Sequence, residues 1–70
     1  MNDLDTAMIA AHEAADAAAL VRLYTQAADH ANSVDAACFY LTHAYVFALE
    51  SGAVEAVDLH ARLVAHGREE

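Results

Sequence analysis

Not one proline interrupts this chain, and its only glycines, Gly52 and Gly67, come late in it. Nineteen of the 70 residues are alanine, the strongest helix former, with leucine, glutamate and arginine close behind it. No stretch alternates apolar and polar residues with period two, so nothing supports a strand. The chain is directed to helix almost throughout, and the informative residues are the ones that break it.

Four helices follow from those breaks. The first starts after Asn2 or Asp3 and runs to about Ala14, with Leu4, Met8 and Ala11 on one face and Ile9 beside them. Asp16 can cap a second helix by accepting a free N–H of its first turn. That helix runs from Ala17 to about Ala31, and Leu20, Leu23, Tyr24, Ala27 and Ala31 form a one-sided stripe. Asn32-Ser33 ends the pattern. Ser33 can cap a third helix, about Val34 to Ser51, with Asp35 complementing the dipole in its first turn. Gly52 stands where a left-handed residue closes a helix. The fourth helix, about Ala53 to His66, buries Ala56, Leu59 and Leu63, flanked by Val57 and Val64. Gly67 stops it, leaving a tail at 67–70 in which Arg68-Glu69-Glu70 should fray.

The third helix differs from the others. Twelve of the fourteen residues from Ala36 to Leu49 are apolar and surround the axis. A helix apolar all round is buried between neighbours or covered by a partner.

Composition narrows the functional classes. Three arginines and no lysine face eleven carboxylates, for a formal net charge of −8. Such a chain cannot supply the cationic surface that binds phosphates, and an anionic membrane repels it. The uncharged run from Ala36 to Leu49 is 14 residues long, short of the roughly 20 that a membrane span requires. An acidic start, Met1-Asn2-Asp3-Leu4-Asp5, is unlike a secretion signal. A single cysteine, Cys38, excludes an internal disulfide. A reducing, cytoplasmic setting is expected. Forty-one residues are apolar, but only 22 of them are larger than alanine. That is enough for one thin core, in a chain that buries roughly 60% of its unfolded surface.

A weak internal repeat organises the four helices. A shift of 36 residues sets Asp16 on Gly52, Leu20 on Ala56, Leu23 on Leu59, Tyr24 on His60 and Ala27 on Leu63. Helix, tight turn and helix, recurring at this period, describe an α-hairpin repeat. The pattern resembles the tetratricopeptide repeat family and its looser relatives. The first copy reads Ala15-Asp16 at the turn, then Leu20, Tyr24 and Ala27. The second reads Gly52, then Ala56, His60 and Leu63, with Tyr45 as the aromatic of its first helix. The family's first-helix tryptophan, its usual glycine and its closing proline have no counterpart here. The resemblance implies one all-α domain over 1–70, built of four antiparallel helices as two stacked hairpins, about 3–31 and 34–66, in a right-handed TPR-like arrangement.

Catalytic and metal chemistry find little footing. The five histidines, His12, His30, His43, His60 and His66, include no pair three or four residues apart, so no two share a helical face as a metal site requires. His60 takes an aromatic's place on a packed face and reads as a half-buried structural residue. Cys38 lies in the apolar run Ala36-Ala37-Cys38-Phe39, where a thiol is structural and inert. Ser33 and Ser51 read as helix-boundary residues, and no glycine-rich loop exists to cradle phosphate. No catalytic residue, metal site or cofactor is expected, and the chain reads as non-enzymatic.

The candidate surface is a stripe on the third helix. Tyr40, His43, Phe47 and Glu50 are spaced i, i+3, i+7 and i+10, while Cys38, Leu41, Tyr45, Ala48 and Leu49 take the other side. The family resemblance implies that the first helix of each hairpin lines a concave groove. Tyr40, His43 and Phe47 would then form a partner-binding face, two aromatic anchors with a polar neighbour. Alternatively the stripe packs on the first helix. The expected function is a protein-protein interaction or assembly module with a protein or peptide partner, a basic one being favoured by the negative charge. Two repeats are fewer than the three a solenoid usually needs, so a homodimer is expected. A different reading is a small acidic helical bundle that blocks a basic, nucleic-acid-binding site on a partner.

Overall fold

The computed structural model of the protein describes residues 3–68. It is all-helical: α1 (Asp3–Glu13), α2 (Ala17–Asp29), α3 (Val34–Ser51) and α4 (Glu55–Ala65), with no strand among the described residues. Among the described residues no helix is long and apolar enough to cross a membrane.

The punctuation residues act as their chemistry dictates. Asp16 accepts a hydrogen bond from the Ala19 N–H at 3.1 Å, and Ser33 accepts one from the Ala36 N–H at 3.1 Å. Three helices end in the same way. The N–H of Asp16 donates to the Ala11 carbonyl, that of Ala53 to Ala48, and that of Arg68 to Leu63. In each case the preceding residue is left-handed: Ala15 at φ 52°, Gly52 at 67° and Gly67 at 74°. These are Schellman closures, which satisfy carbonyls that a helix end would otherwise strand. Two of them use glycine, which has no Cβ to strain; the first uses alanine.

The same bonds shift two boundaries from the expected ones. Ala53 is committed to closing α3, and Ala53 and Val54 then accept from Ala56 and Val57 in tight i→i+3 turns. Val54 has no side-chain cap to offer, so α4 begins at Glu55 rather than Ala53. At the other break Ser33 must be extended (φ −145°, ψ 160°) to cap α3, and α2 therefore stops at Asp29 rather than Ala31. Arg68 is not part of a frayed tail. Its N–H closes α4 and its guanidinium pairs with Asp35 at the start of α3. Glu69 and Glu70 lie outside the described residues.

Each helix packs against the next in the chain, and consecutive helices run antiparallel. Leu4 and Met8 of α1 share a cleft with Ala27 at the far end of α2. Tyr45 of α3 meets His60 of α4. The Cα envelope is a slab of 32 × 29 × 12 Å. Its larger core joins Val21 and Ala28 of α2 to Cys38, Leu41, Ala44 and Ala48 of α3 and to Leu59 and Leu63 of α4. A smaller one joins Ala11 of α1 to Ala19 and Leu20 of α2. Thus α2 buries one face against α1 and another against α3 and α4. Arg62 and Asp29, at 2.7 Å, tie α4 to the end of α2 across the outside.

Helix α3 is central but not enclosed. Leu41, Ala44 and Ala48 are fully buried, whereas Phe39 (59% exposed), Val46 (46%) and Leu49 (56%) face outward. Leu49 shares the side of α3 opposite the candidate stripe with buried Cys38, Leu41 and Ala48. It opens to solvent because the start of α4 opposite it presents only Ala56 and Val57 across a shallow groove. Val57 and Val64, expected to flank the core, are also exposed.

Candidate functional site

Tyr24 of α2 is the hub of an aromatic cluster spanning three helices. Its ring centroid lies 5.2 Å from His43, stacked at 13°, 5.6 Å from Phe47 and 6.2 Å from Tyr40, all on α3. From the other side comes His12 of α1, edge-on at 5.8 Å from both Tyr24 and Phe47. Its Nε2 shares a 2.9 Å hydrogen bond with the Tyr24 hydroxyl. Each such ring pair contributes roughly 0.5–1.5 kcal/mol beyond buried area, so the cluster holds its members in place.

Tyr40, His43 and Phe47 are therefore brought together, as their helical spacing requires, and all three are half-buried. One flank of each packs inward on α2. Tyr40 opens into a cleft of about 320 Å³ between the ends of α1 and α2, lined also by Leu4, Met8, Ala27 and His30. His43 and Phe47 open instead onto the outer face of α3, over a cleft of about 230 Å³ with Thr42 and Val46. A second cleft of about 430 Å³, bounded by Asp35, Phe39, Thr42, His43 and Arg68, continues it along the helix. Glu50, the fourth residue of the stripe, is exposed.

The orientation of His43 is fixed from its own helix. Its Nδ1–H donates to the Phe39 carbonyl at 2.8 Å, and the Phe39 ring lies 4.5 Å away. Thr42 donates to the Cys38 carbonyl at 2.8 Å. These bonds occupy the side-chain donors along this part of the trough, leaving the apolar surfaces of Phe39, Val46 and Phe47 for contact. At the trough's end the hydrogen bond that Arg68 donates to the Asp35 carboxylate, with the negative charge of ionised Cys38 and of Asp35 behind it, raises the Arg68 pKa above its usual value.

Cys38 is 3% exposed and unpaired with any other thiol. His60 is half-buried, 5.6 Å from Tyr45. Among the described residues no three His, Cys, Asp or Glu side chains converge in a way that could hold a metal ion, and no buried side-chain nitrogen or oxygen lacks a hydrogen-bond partner. In the sequence Tyr24 belongs to the one-sided stripe of α2, and His12 is one of five histidines with no helical pair. Neither could be linked to the α3 stripe by spacing, because the contact crosses two turns.

Compared with protein-family models, with curated proteins and with solved structures, the chain has no significant match in any of the three.

Proposed function

We propose that this protein is a non-enzymatic interaction module that docks an apolar-anchored segment of a protein or peptide partner along the outer face of α3. Of the stripe Tyr40, His43 and Phe47, the last two form the contact face there, with Phe39 and Val46 extending it, while Tyr40 serves the cleft between α1 and α2; the setting is reducing and cytoplasmic. The observation that carries this reading is the trough itself: an outward-facing, rigidly held aromatic surface beside exposed Phe39 and Val46. Isolated exposed apolar residues are ordinary, but a contiguous set with fixed rotamers is the kind of surface that anchors a partner.

The sequence register, read as two TPR-like hairpins, agrees with the same proposal. The 36-residue register carries α1 onto 39–49 within α3 and α2 onto 53–65, which contains α4. In that arrangement α3 is the second groove-lining helix. The net charge of −8 favours basic partners by speeding encounter rather than by tightening the bound state.

Selection from a random peptide library displayed on phage tests the proposal, with the purified protein as bait. Peptides carrying aromatic or aliphatic anchors should be enriched. Their affinity should fall at least about tenfold in His43→Ala and Phe39→Ser, the loss of one modest hot spot. Phe39→Ser removes a ring that is 59% exposed and outside the core, and circular dichroism checks that helix content is kept. Enrichment of basic peptides that ignore both substitutions, with affinity collapsing as salt rises, would replace this reading with that of an acidic blocker of basic sites.

A further inference from the structure

Hydrogen bonding along the outer face of α3 is closed on itself. Thr42 donates to the Cys38 carbonyl, His43 to the Phe39 carbonyl and Ser51 to the Phe47 carbonyl. The backbone between them is bonded within the helix. Phe39 and Val46, 59% and 46% exposed, have no polar side-chain atom. From Phe39 to Phe47 this face therefore has, among the described residues, no N–H or O–H left to meet a partner's carbonyl.

That accounting selects the conformation of what docks. An extended segment laid here would press its own N–H and C=O groups against carbon with too few partners, at a cost for each one buried. A helix brings its backbone bonds with it. The spacing agrees: Phe39, Thr42, His43 and Val46 stand at i, i+3, i+4 and i+7 along α3, matching the anchors of an amphipathic helix seated on an apolar face.

The two ends of the face differ in charge. Asp35 and Glu50, about 22 Å apart along α3, are the ionised residues of that helix. Asp35 is held by Arg68, whose guanidinium donates to it and lines the same trough. Glu50 is exposed, in the last turn of α3, where the helix dipole adds further negative charge. Glu13, next in the chain to the His12 that touches Phe47, lies at the same end. One end is thus a balanced pair in which Arg68 has further N–H groups to give, and the other is net negative.

We propose, building on α3 as the docking face, that its occupant is an amphipathic α-helix of about four turns lying antiparallel to α3. Its apolar stripe covers Phe39, His43, Val46 and Phe47. Its first turn, with free N–H groups and the positive end of its dipole, sits at Glu50. Its last carbonyls sit at Arg68, where an arginine can cap a helix end. The reverse direction would set the partner's carbonyls against the Glu50 carboxylate and its free N–H groups against a guanidinium.

The probe is the tightest phage-selected peptide whose binding is weakened by His43→Ala. On binding, far-UV circular dichroism should gain helix signal beyond the sum of the separate components. Proline at a non-anchor position in the middle of the peptide should weaken binding at least about hundredfold, the cost of a proline inside a helix, while alanine there leaves it nearly unchanged. Glu50→Gln should weaken binding about two- to fivefold, the worth of one exposed charge contact. A nitroxide on the peptide's N-terminus should broaden the amide signals of Glu50 and Ser51, and one on its C-terminus those of Asp35 and Ala36. A peptide that is sensitive to His43→Ala yet tolerates the proline and gains no helix would overturn the helical occupant and leave α3 as the docking face. Broadening with the two labels exchanged would overturn the antiparallel direction and the roles of Glu50 and Arg68. The absence of any selected peptide sensitive to His43→Ala or Phe39→Ser would remove the docking face itself, and its helical occupant with it.

Discussion

Ala15 and Gly52 occupy the same left-handed conformation, at φ 52° and 67°, each closing a helix that leads into a hairpin. This makes a paired test of what shapes the turns. A left-handed residue with a Cβ costs about 1–2 kcal/mol, and glycine avoids that cost but loses about 0.4–1 kcal/mol through its freer unfolded chain. A Cβ built at Gly52 meets nothing within 4 Å, so packing does not enter there. Gly52→Ala should then destabilise by about 0.5–1 kcal/mol, the difference between the two terms. Ala15→Gly should stabilise by a similar amount. For a domain of this size, 1 kcal/mol corresponds to roughly 4–8 °C in Tm. The two variants should therefore move the thermal midpoint in opposite directions by several degrees, and urea titration should agree. A loss of stability in both would refute the reasoning. It would mean that added chain freedom outweighs strain at position 15 and that the α1–α2 turn is not left-handed there.

Other expectations follow from the packing. Leu41 is wholly buried, and Leu41→Ala should cost about 3–5 kcal/mol by cavity formation. That is a large part of the roughly 3.5–10 kcal/mol that holds together a chain of this length, and it is readable as a fall in the urea midpoint. Asp16→Ala and Ser33→Ala should each cost about 1 kcal/mol, the worth of one N-cap bond, in the same titration. Arg62→Met should cost less than about 1 kcal/mol, because its pair with Asp29 is 39% and 54% exposed, and high salt should erase the difference.

Much of this architecture is legible in single residues. Asp16, Ser33 and Gly52 announce the helix ends because each has a local reason to sit there: a carboxylate or hydroxyl facing free N–H groups, or a missing Cβ. The outcome at Val54 is less legible, since the closure of α3 consumes Ala53 and nothing in the sequence marks that the next helix must wait. The exposure of Leu49, Val57 and Val64 is hidden for a different reason. Periodicity shows which residues share a face but not whether a neighbouring helix reaches it, and α4, at 11 residues, covers only part of an 18-residue α3. For the candidate site, the grouping of Tyr40, His43 and Phe47 is a consequence of helical spacing alone. Their hub, Tyr24, and their third partner, His12, arrive through tertiary contacts between residues far apart in the chain.

The central claim, that the outer face of α3 is a docking surface, is tested most directly by titrating the tightest selected peptide into nitrogen-15-labelled protein at low and high salt. The account predicts that the largest amide shifts fall at Phe39, Thr42, His43, Val46 and Phe47, with an affinity little changed between about 0.05 and 0.5 M salt, where the screening length drops severalfold. Shifts spread over the carboxylate-bearing ends of the helices, with affinity lost as salt rises, would contradict it.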